Sequence, residues 1–422
     1  MSASARDAGA AARGAAAARG AISGVLAGAL AWSALVLAGA GGLIELGTIE
    51  ALLALAPLVV VPLALEARRR LAEADQALPL VTWIEGIARL VVLPAALFAA
   101  ASFALPVGPQ AALVAAPWVV ACGVIGIGGV SRALATWPRA ERGGDGRGGG
   151  DGRGRGNGGR EGDGRGDGDG RGRGNGGGER DGRDGGVGDA AGSPYRFGIW
   201  ALLGASSLYL PVGAIWLVLS RLGTPVGGFL LPIPALTGIH LHYTTFALPA
   251  VAALAGRWLE RAARDRDPAR AGRPAAGEGA PSTWPGRTAR AAYGGIAIVF
   301  VIAPALLITG WILAFVPLKM VATLLLATAS VGLAALTLTV APRVDPPAAR
   351  TLLRISGGSI VVAMVLASLY GIGELYEPVA ISIPRMAQLH GILNAMGFAL
   401  CGLLGWLLVG DPSSNRNSNP LT

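Results

Sequence analysis

Only three histidines and two cysteines occur in 422 residues, and Asp, Glu, Lys and Arg together make up just 14% of the chain. Cys122 and Cys401 lie far apart inside apolar runs and show no CxxC spacing. That excludes a disulfide framework or a thiolate metal site and leaves both as small packing residues. HExxH, GxSxG and P-loop signatures are absent, so metalloprotease, α/β-hydrolase and nucleotide-hydrolysing chemistry find no support and an enzyme is not the expectation. Charge is not only scarce but concentrated in one Gly-rich stretch, which leaves the remainder greasier than the average. A water-soluble domain is excluded.

Apolar residues make up 52% of the chain. They fall in repeated runs of about 18 to 25 residues, the length a helix needs to cross hydrocarbon. Runs over 20–42, 48–65, 80–104, 109–131, 197–219, 229–255, 293–315, 319–341, 355–373 and 386–409 predict an all-α, polytopic transmembrane bundle of about ten helices. The first run follows Arg13 and Arg19 and mimics a secretory signal, but it is long for a signal core and further spans follow, so it reads as a retained helix. The net charge of +9 reflects topology, because every second loop is basic. Arg68–Arg70, Arg132, Arg257 and Arg343 mark that series, with Arg221 and Arg385 as exceptions. Basic loops stay in the cytoplasm, so a cell-membrane protein with both termini cytoplasmic is expected.

From about 139 to 194 the chain is Gly, Arg and Asp with almost nothing apolar, and Asp151-Gly-Arg-Gly-Arg-Gly-Asn-Gly-Gly returns from Asp169. Such a composition cannot offset its ordering entropy and predicts a disordered cytoplasmic linker. Single-strand RNA binders usually add stacking aromatics, which the stretch lacks, so nucleic acid is not an expected partner. The linker divides the sequence into a four-helix block (1–138), the insertion (139–194), a six-helix block (195–410) and a tail (411–422). Glycines at 20, 24 and 28 share one face of the first helix, where small residues let backbones approach closely.

Polar groups at membrane depth are functional-site candidates by default. His240, Leu241, His242 and Tyr243 sit mid-way along the apolar stretch Phe229 to Ala255. Pro232, Pro234 and Gly238 precede them and predict a helix broken just ahead of the histidines, a device that often builds transporter sites. On a regular helix, residues two apart point about 200° away from each other. His240 and His242 therefore share one ligand only on irregular backbone; otherwise one faces the site and the other a neighbouring helix, and packing alone accounts for either. His390 and Asn394 are four apart and share a face of the last span. Tyr370, Glu374 and Glu377 recur at i, i+4 and i+7 ahead of Pro378. Glu85 and Arg89 have the order of a helical ion pair, either lining the site or lying at the interface, and Lys319 is expected to snorkel. The candidate binding set is His240, His242, Tyr243, Glu374, His390 and Asn394, with no catalytic residue assigned.

The strings Thr237-Gly-Ile-His-Leu-His-Tyr-Thr-Thr-Phe-Ala-Leu-Pro and Gln388-Leu-His-Gly-Ile-Leu-Asn-Ala-Met-Gly-Phe resemble the YndJ-like family of bacterial and archaeal integral membrane proteins. The family's marks fall here on His240, His242, Tyr243, Phe246, His390, Gly391, Asn394, Gly397 and Phe398. The resemblance implies a membrane protein with a transporter label that carries no known substrate and no assigned catalytic residue. The Gly/Arg/Asp insertion looks peculiar to this chain.

Three function classes remain. A transporter or permease for an unidentified small molecule or ion needs the bilayer and no cofactor, and it accounts for the broken helix and the polar groups at depth. A membrane haem or divalent-metal protein would draw imidazole ligands from His240, His242 and His390 on separate helices. A receptor or assembly factor without turnover is the third. An oligomer is compatible with all three.

Overall fold

The computed structural model describes residues 23–72, 79–136, 194–225, 227–264, 286–373 and 381–409. Glu374, Glu377 and the Gly/Arg/Asp stretch lie outside the described residues. Among the described residues there are ten helices: α1 (Ser23–Ala40), α2 (Thr48–Ala72), α3 (Pro79–Ala101), α4 (Pro109–Ala115 and Pro117–Thr136), α5 (Pro194–Leu222), α6 (Ile233–His242 continuing through Leu248–Arg264), α7 (Arg287–Ile312), α8 (Val316–Val340), α9 (Pro347–Gly373) and α10 (Ile383–Met386 continuing through Cys401–Leu408). No strand occurs among the described residues. Nine of these helices are long and apolar enough to cross a membrane. The tenth, α6, is longer, but His240, His242 and its threonines dilute its apolarity.

A polytopic bundle is what this composition demands, because hydrocarbon offers backbone groups no partner and a helix satisfies them within itself. Apolar side chains that would be anomalous in water, among them Leu30, Leu90, Leu113 and Leu134, point outward as lipid-facing surface. Neighbours in sequence pack as antiparallel pairs, α3 on α4, α4 on α5, α7 on α8, α8 on α9 and α9 on α10. The helices on both sides of the insertion belong to one compact unit. Boundary 139–194 thus divides the sequence and not the packed core.

At the centre are α2, α6 and α10, which touch one another. Leu53, Leu55, Leu58 and Phe246 are fully enclosed there. Each of the three contains π-helical turns: Ala56–Val60 in α2, Tyr243–Ala247 in α6, and Ala387–Gly391 with Leu393–Leu400 in α10. Such widened turns re-aim side chains and recur at functional sites. Helix α1 joins α2 through Trp32 Nε1, which donates to Ala51 O at 2.8 Å. Of the small-residue face, Gly28 carries the close approach, since a Cβ there would lie 1.9 Å from Leu58 O. Gly24 faces open space and Gly20 lies outside the described residues.

One expectation about α6 is corrected, and an exception among the loops is accounted for. The prolines do not break the helix ahead of the histidines. Pro232 is the N-cap and another proline stands in the first turn, where a missing N–H costs nothing, so α6 begins at Ile233 and the irregular turns come after His242. Arg221, the exception at the Arg-poor end, is a tether. Its Nη2 donates to Ser102 O at 3.0 Å and Leu105 O at 2.8 Å, carbonyls at the α3 C-terminus where positive charge is favoured.

Candidate functional site

His240 lies seven residues into α6 and His390 seven into α10, so both sit about 10 Å from the Arg-poor ends of their helices at 1.5 Å per residue. Their rings face each other with centroids 6.4 Å apart and planes 24° from parallel. His240 Nδ1 is 2.8 Å from Leu236 O. A carbonyl only accepts, so Nδ1 carries the hydrogen and the lone pair is on Nε2. Among the described residues nothing engages that Nε2, and the side chain is exposed.

His390 is held more firmly. Its Nδ1 donates to Ala363 O of α9 at 2.8 Å, and Asn394 Nδ2 lies 2.8 Å from its Nε2. Asn394 can serve either protonation state. Its amide N–H donates to a neutral Nε2, and after rotation its carbonyl accepts from a protonated one. The four-residue spacing legible in the sequence is the spacing that joins the two groups.

His242 faces the opposite way, toward α4 and α5. Backbone through this turn is regular α-helix, so residues two apart diverge. Trp118 Nε1–H, a group that only donates, reaches His242 Nε2 at 3.0 Å. Nδ1 must therefore hold the hydrogen, and it donates to Gly238 O at 2.7 Å. Both nitrogens are satisfied in a fully enclosed ring. Gly213 of α5 permits this approach, because a Cβ there would meet His242 Nδ1 at 3.1 Å. Tyr243 is likewise buried, and its hydroxyl donates to Leu52 O at 3.0 Å, tying α6 to α2. Of the six expected binding residues, the structure joins His240, His390 and Asn394, turns the polar atoms of His242 and Tyr243 onto protein partners, and leaves Glu374 outside the described residues.

Haem or metal ligation from paired imidazoles requires free ring nitrogens on separate helices. The donor set does not fit as built: His242 has none, the Nε2 of His390 is taken by Asn394, and only His240 offers one. Among the described residues no three His, Cys, Asp or Glu side chains group as a metal site.

A second polar centre, near the Arg-rich end, was not anticipated. Glu85 does not pair with Arg89 one turn on. It forms a fork with Arg132 of α4, Nε to Oε1 at 2.5 Å and Nη2 to Oε2 at 2.6 Å, a geometry that a planar guanidinium satisfies better across helices than along one. Arg68 reaches inward from α2, donating to Ser206 Oγ at 3.0 Å and Ser207 Oγ at 2.6 Å of α5, with Cζ 5.6 Å from the Phe246 ring centre. The arginine run 68–70 reads in sequence as a topology marker. The only signal of its other role was the serine pair inside an apolar span.

A bundle of this kind with polar side chains at depth is a polytopic α-helical integral membrane protein. Residues 51–145 and 185–398 match the family described as YndJ-like protein, and the chain belongs to that family. Both histidine segments fall inside the match, and the break at 146–184 falls in the Gly/Arg/Asp stretch. The chain is similar to the uncharacterized membrane protein YndJ of Bacillus subtilis (strain 168), 26% identical over 204 residues, which cover 47% of this chain and 31% of that protein. The match thus spans under a third of that relative's length. No solved structure matches.

Proposed function

We propose that this is a cell-membrane transporter whose solute is a small polar molecule or ion recognised between α6 and α10, with His240, His390 and Asn394 as the binding groups. The observation that carries the reading is the Nε2 lone pair of His240, which has no partner among the described residues, on a ring stacked near that of a histidine whose protonation Asn394 can follow. A neutral imidazole acceptor suits a solute with N–H or O–H donors, or a proton moving with it. His242 and Tyr243 then act as scaffold, holding α6 against α4 and α2. The π-helical turns supply the mobile element, because their hydrogen bonding is less regular than that of the surrounding helix. Basic residues gather at the end bearing Arg68–Arg70 and Arg257, so that end and both termini are assigned to the cytoplasm and the histidine site to the outer half of the bundle.

Alternating access separates a transporter from a receptor without knowledge of the solute. Leu236→Cys, one turn from His240, is made in a Cys122→Ala/Cys401→Ala background and probed with a membrane-impermeant maleimide in right-side-out and inside-out vesicles. Reaction from both sides is expected. Reaction from one side alone contradicts transport and favours a receptor.

A further inference from the structure

The open face of α6 does not end at His240. Ile233, Leu236, Thr237, His240 and Thr244 are wholly or partly exposed, whereas every residue from Thr245 to Gly256 is buried. Thr244 is four residues beyond His240 and so shares its side of the helix. It lies eleven residues beyond Ile233 at the start of α6, and Asn394 lies eleven beyond Ile383 at the start of α10. Both are thus about 16 Å in from the Arg-poor end, near the bilayer centre. The π-helical turns that carry them, Tyr243–Ala247 and Leu393–Leu400, pack against each other. His240 with His390, and Thr244 with Asn394, are two polar rungs at matching depths. The threonines on either side close their hydroxyls on their own helix, Thr237 on Ile233 O at 2.9 Å and Thr245 on Leu241 O. Among the described residues the Thr244 hydroxyl has no partner, and it is not one of the sealed-in orphan groups.

Below the second rung the two helices close. Leu248 and Phe398, each one turn further in, are buried, and a Cβ at Gly402 would lie 3.3 Å from Val251 Cγ2. Charge is missing as well. Residues 51–65, 197–220, 233–256, 291–312, 320–340, 355–373 and 386–408, the spanning parts of α2 and α5–α10, contain no Asp, Glu, Lys or Arg. Glu50, Arg221, Lys319 and Arg385 stand in the first or last turn of their helices, at the mouth. Acidic residues 374 and 377 follow Gly373, which lies ten residues, about 15 Å, along α9 from the Ala363 carbonyl that holds His390. Arg68 meets the other side of α6 at Phe246, two residues from Thr244 and turned away from it.

We infer that Thr244 is a fourth binding group of the histidine site and that the solute is an uncharged molecule bearing hydroxyl or amide groups. The inference rests on the transport reading and narrows it. An imidazole nitrogen with a lone pair accepts, a threonine hydroxyl donates and accepts, and the Asn394 amide offers both an oxygen and N–H groups. Such a set matches the mixed donors and acceptors of a polyol or an amide. An ion of either sign would give up its hydration near the bilayer centre with no fixed counter-charge in these stretches, and a charge at that depth persists only when it is paired or hydrated.

The test uses the full chain in lipid vesicles, with Thr244→Cys in a Cys122→Ala/Cys401→Ala background. Vesicles are oriented so that a reference variant, Gln110→Cys at the Arg-poor end, reacts from the bath. Three methanethiosulfonates are added outside: an uncharged dihydroxypropyl reagent, a cationic trimethylammonium-ethyl reagent and an anionic sulfonatoethyl reagent. Glutathione in the lumen destroys any that crosses the bilayer. Each rate is divided by that of the same reagent at Gln110→Cys. The uncharged reagent is expected to modify Thr244→Cys at least about tenfold faster than either charged one, and at least about tenfold faster than it modifies Leu90→Cys, which is 77% exposed to lipid midway along α3. Asn394→Cys is expected to repeat the pattern, and it decides the matter if Thr244→Cys does not reach the membrane. A smaller difference in either comparison, or no reaction with the uncharged reagent, overturns the inference. Every reagent acts from one side, so that failure leaves the two-sided labelling of Leu236→Cys, and with it the transport reading, to stand or fall separately.

Discussion

If His242 is a structural strut and His240 is not, their substitution must separate stability from function. His242→Ala removes an enclosed ring, leaves the Trp118 indole N–H and the Gly238 carbonyl without their partners, and opens a space among α4, α5 and α6. An unsatisfied buried donor costs about 1–3 kcal/mol, and truncating a large enclosed side chain costs about 2–5 kcal/mol. The two overlap, so a loss of about 3–5 kcal/mol is expected. Trp118→Phe removes the donor and leaves a small space where part of the enclosed indole stood, with an expected cost of about 2–4 kcal/mol. In the double variant Trp118→Phe/His242→Ala the losses fall short of additive by about 1 kcal/mol or more, because one hydrogen bond is shared. Reversible unfolding in mixed micelles reads all three. Strict additivity, or a stability loss on His240→Ala as large as on His242→Ala, would refute the assignment of roles.

His240→Ala should change unfolding free energy by no more than about 0.5 kcal/mol, as is usual for exposed positions, while abolishing the transport cycle once a solute flux is found. Gly256→Ala should cost about 1–3 kcal/mol by overpacking, since its Cβ would lie 2.2 Å from Tyr293 Oη, whereas Gly294→Ala, with open space around it, should be neutral or slightly stabilising; paired thermal melts check both. Glu85→Gln should destabilise by about 3–5 kcal/mol, because it leaves Arg132, a nearly buried guanidinium, without its carboxylate; Glu85→Asp/Arg132→Lys should recover little, as the fork geometry is lost. Deleting 145–190 should leave membrane insertion and thermal midpoint unchanged, since the family match breaks there and the composition offers no apolar face; a midpoint lowered by several degrees would count against it.

The bundle was legible because hydrocarbon thickness sets run length, and all ten expected spans correspond to helices to within several residues at their ends. The pairing of His390 with Asn394 was legible too, since a four-residue spacing forces two groups onto one face. Which of His240 and His242 looks inward was not, because periodicity only says that they diverge. The answer lies in Trp118, 124 residues away, whose indole can only donate. The prolines misled for a similar reason. A proline breaks or begins a helix according to where the chain enters the membrane, and local sequence does not set that point. Glu85 and Arg89 obeyed the helical spacing and still did not pair, since Arg132 offers a planar fork from the facing helix. Local rules predict neighbours along a helix, and tertiary geometry chooses between them.

Three histidines in the whole chain make the central claim open to direct measurement. In the structure each Nδ1 donates to a backbone carbonyl, of Leu236, Gly238 and Ala363 respectively. Solid-state nitrogen NMR of the histidine-labelled protein in lipid at neutral to mildly alkaline pH should therefore show three imidazoles, all in the Nδ1–H tautomer. Only His240 should carry an Nε2 without a hydrogen-bond donor from the protein, and a through-space contact should join His240 to His390 but not to His242. An Nε2–H tautomer at His240, or the absence of a His240–His390 contact, would contradict the shared site.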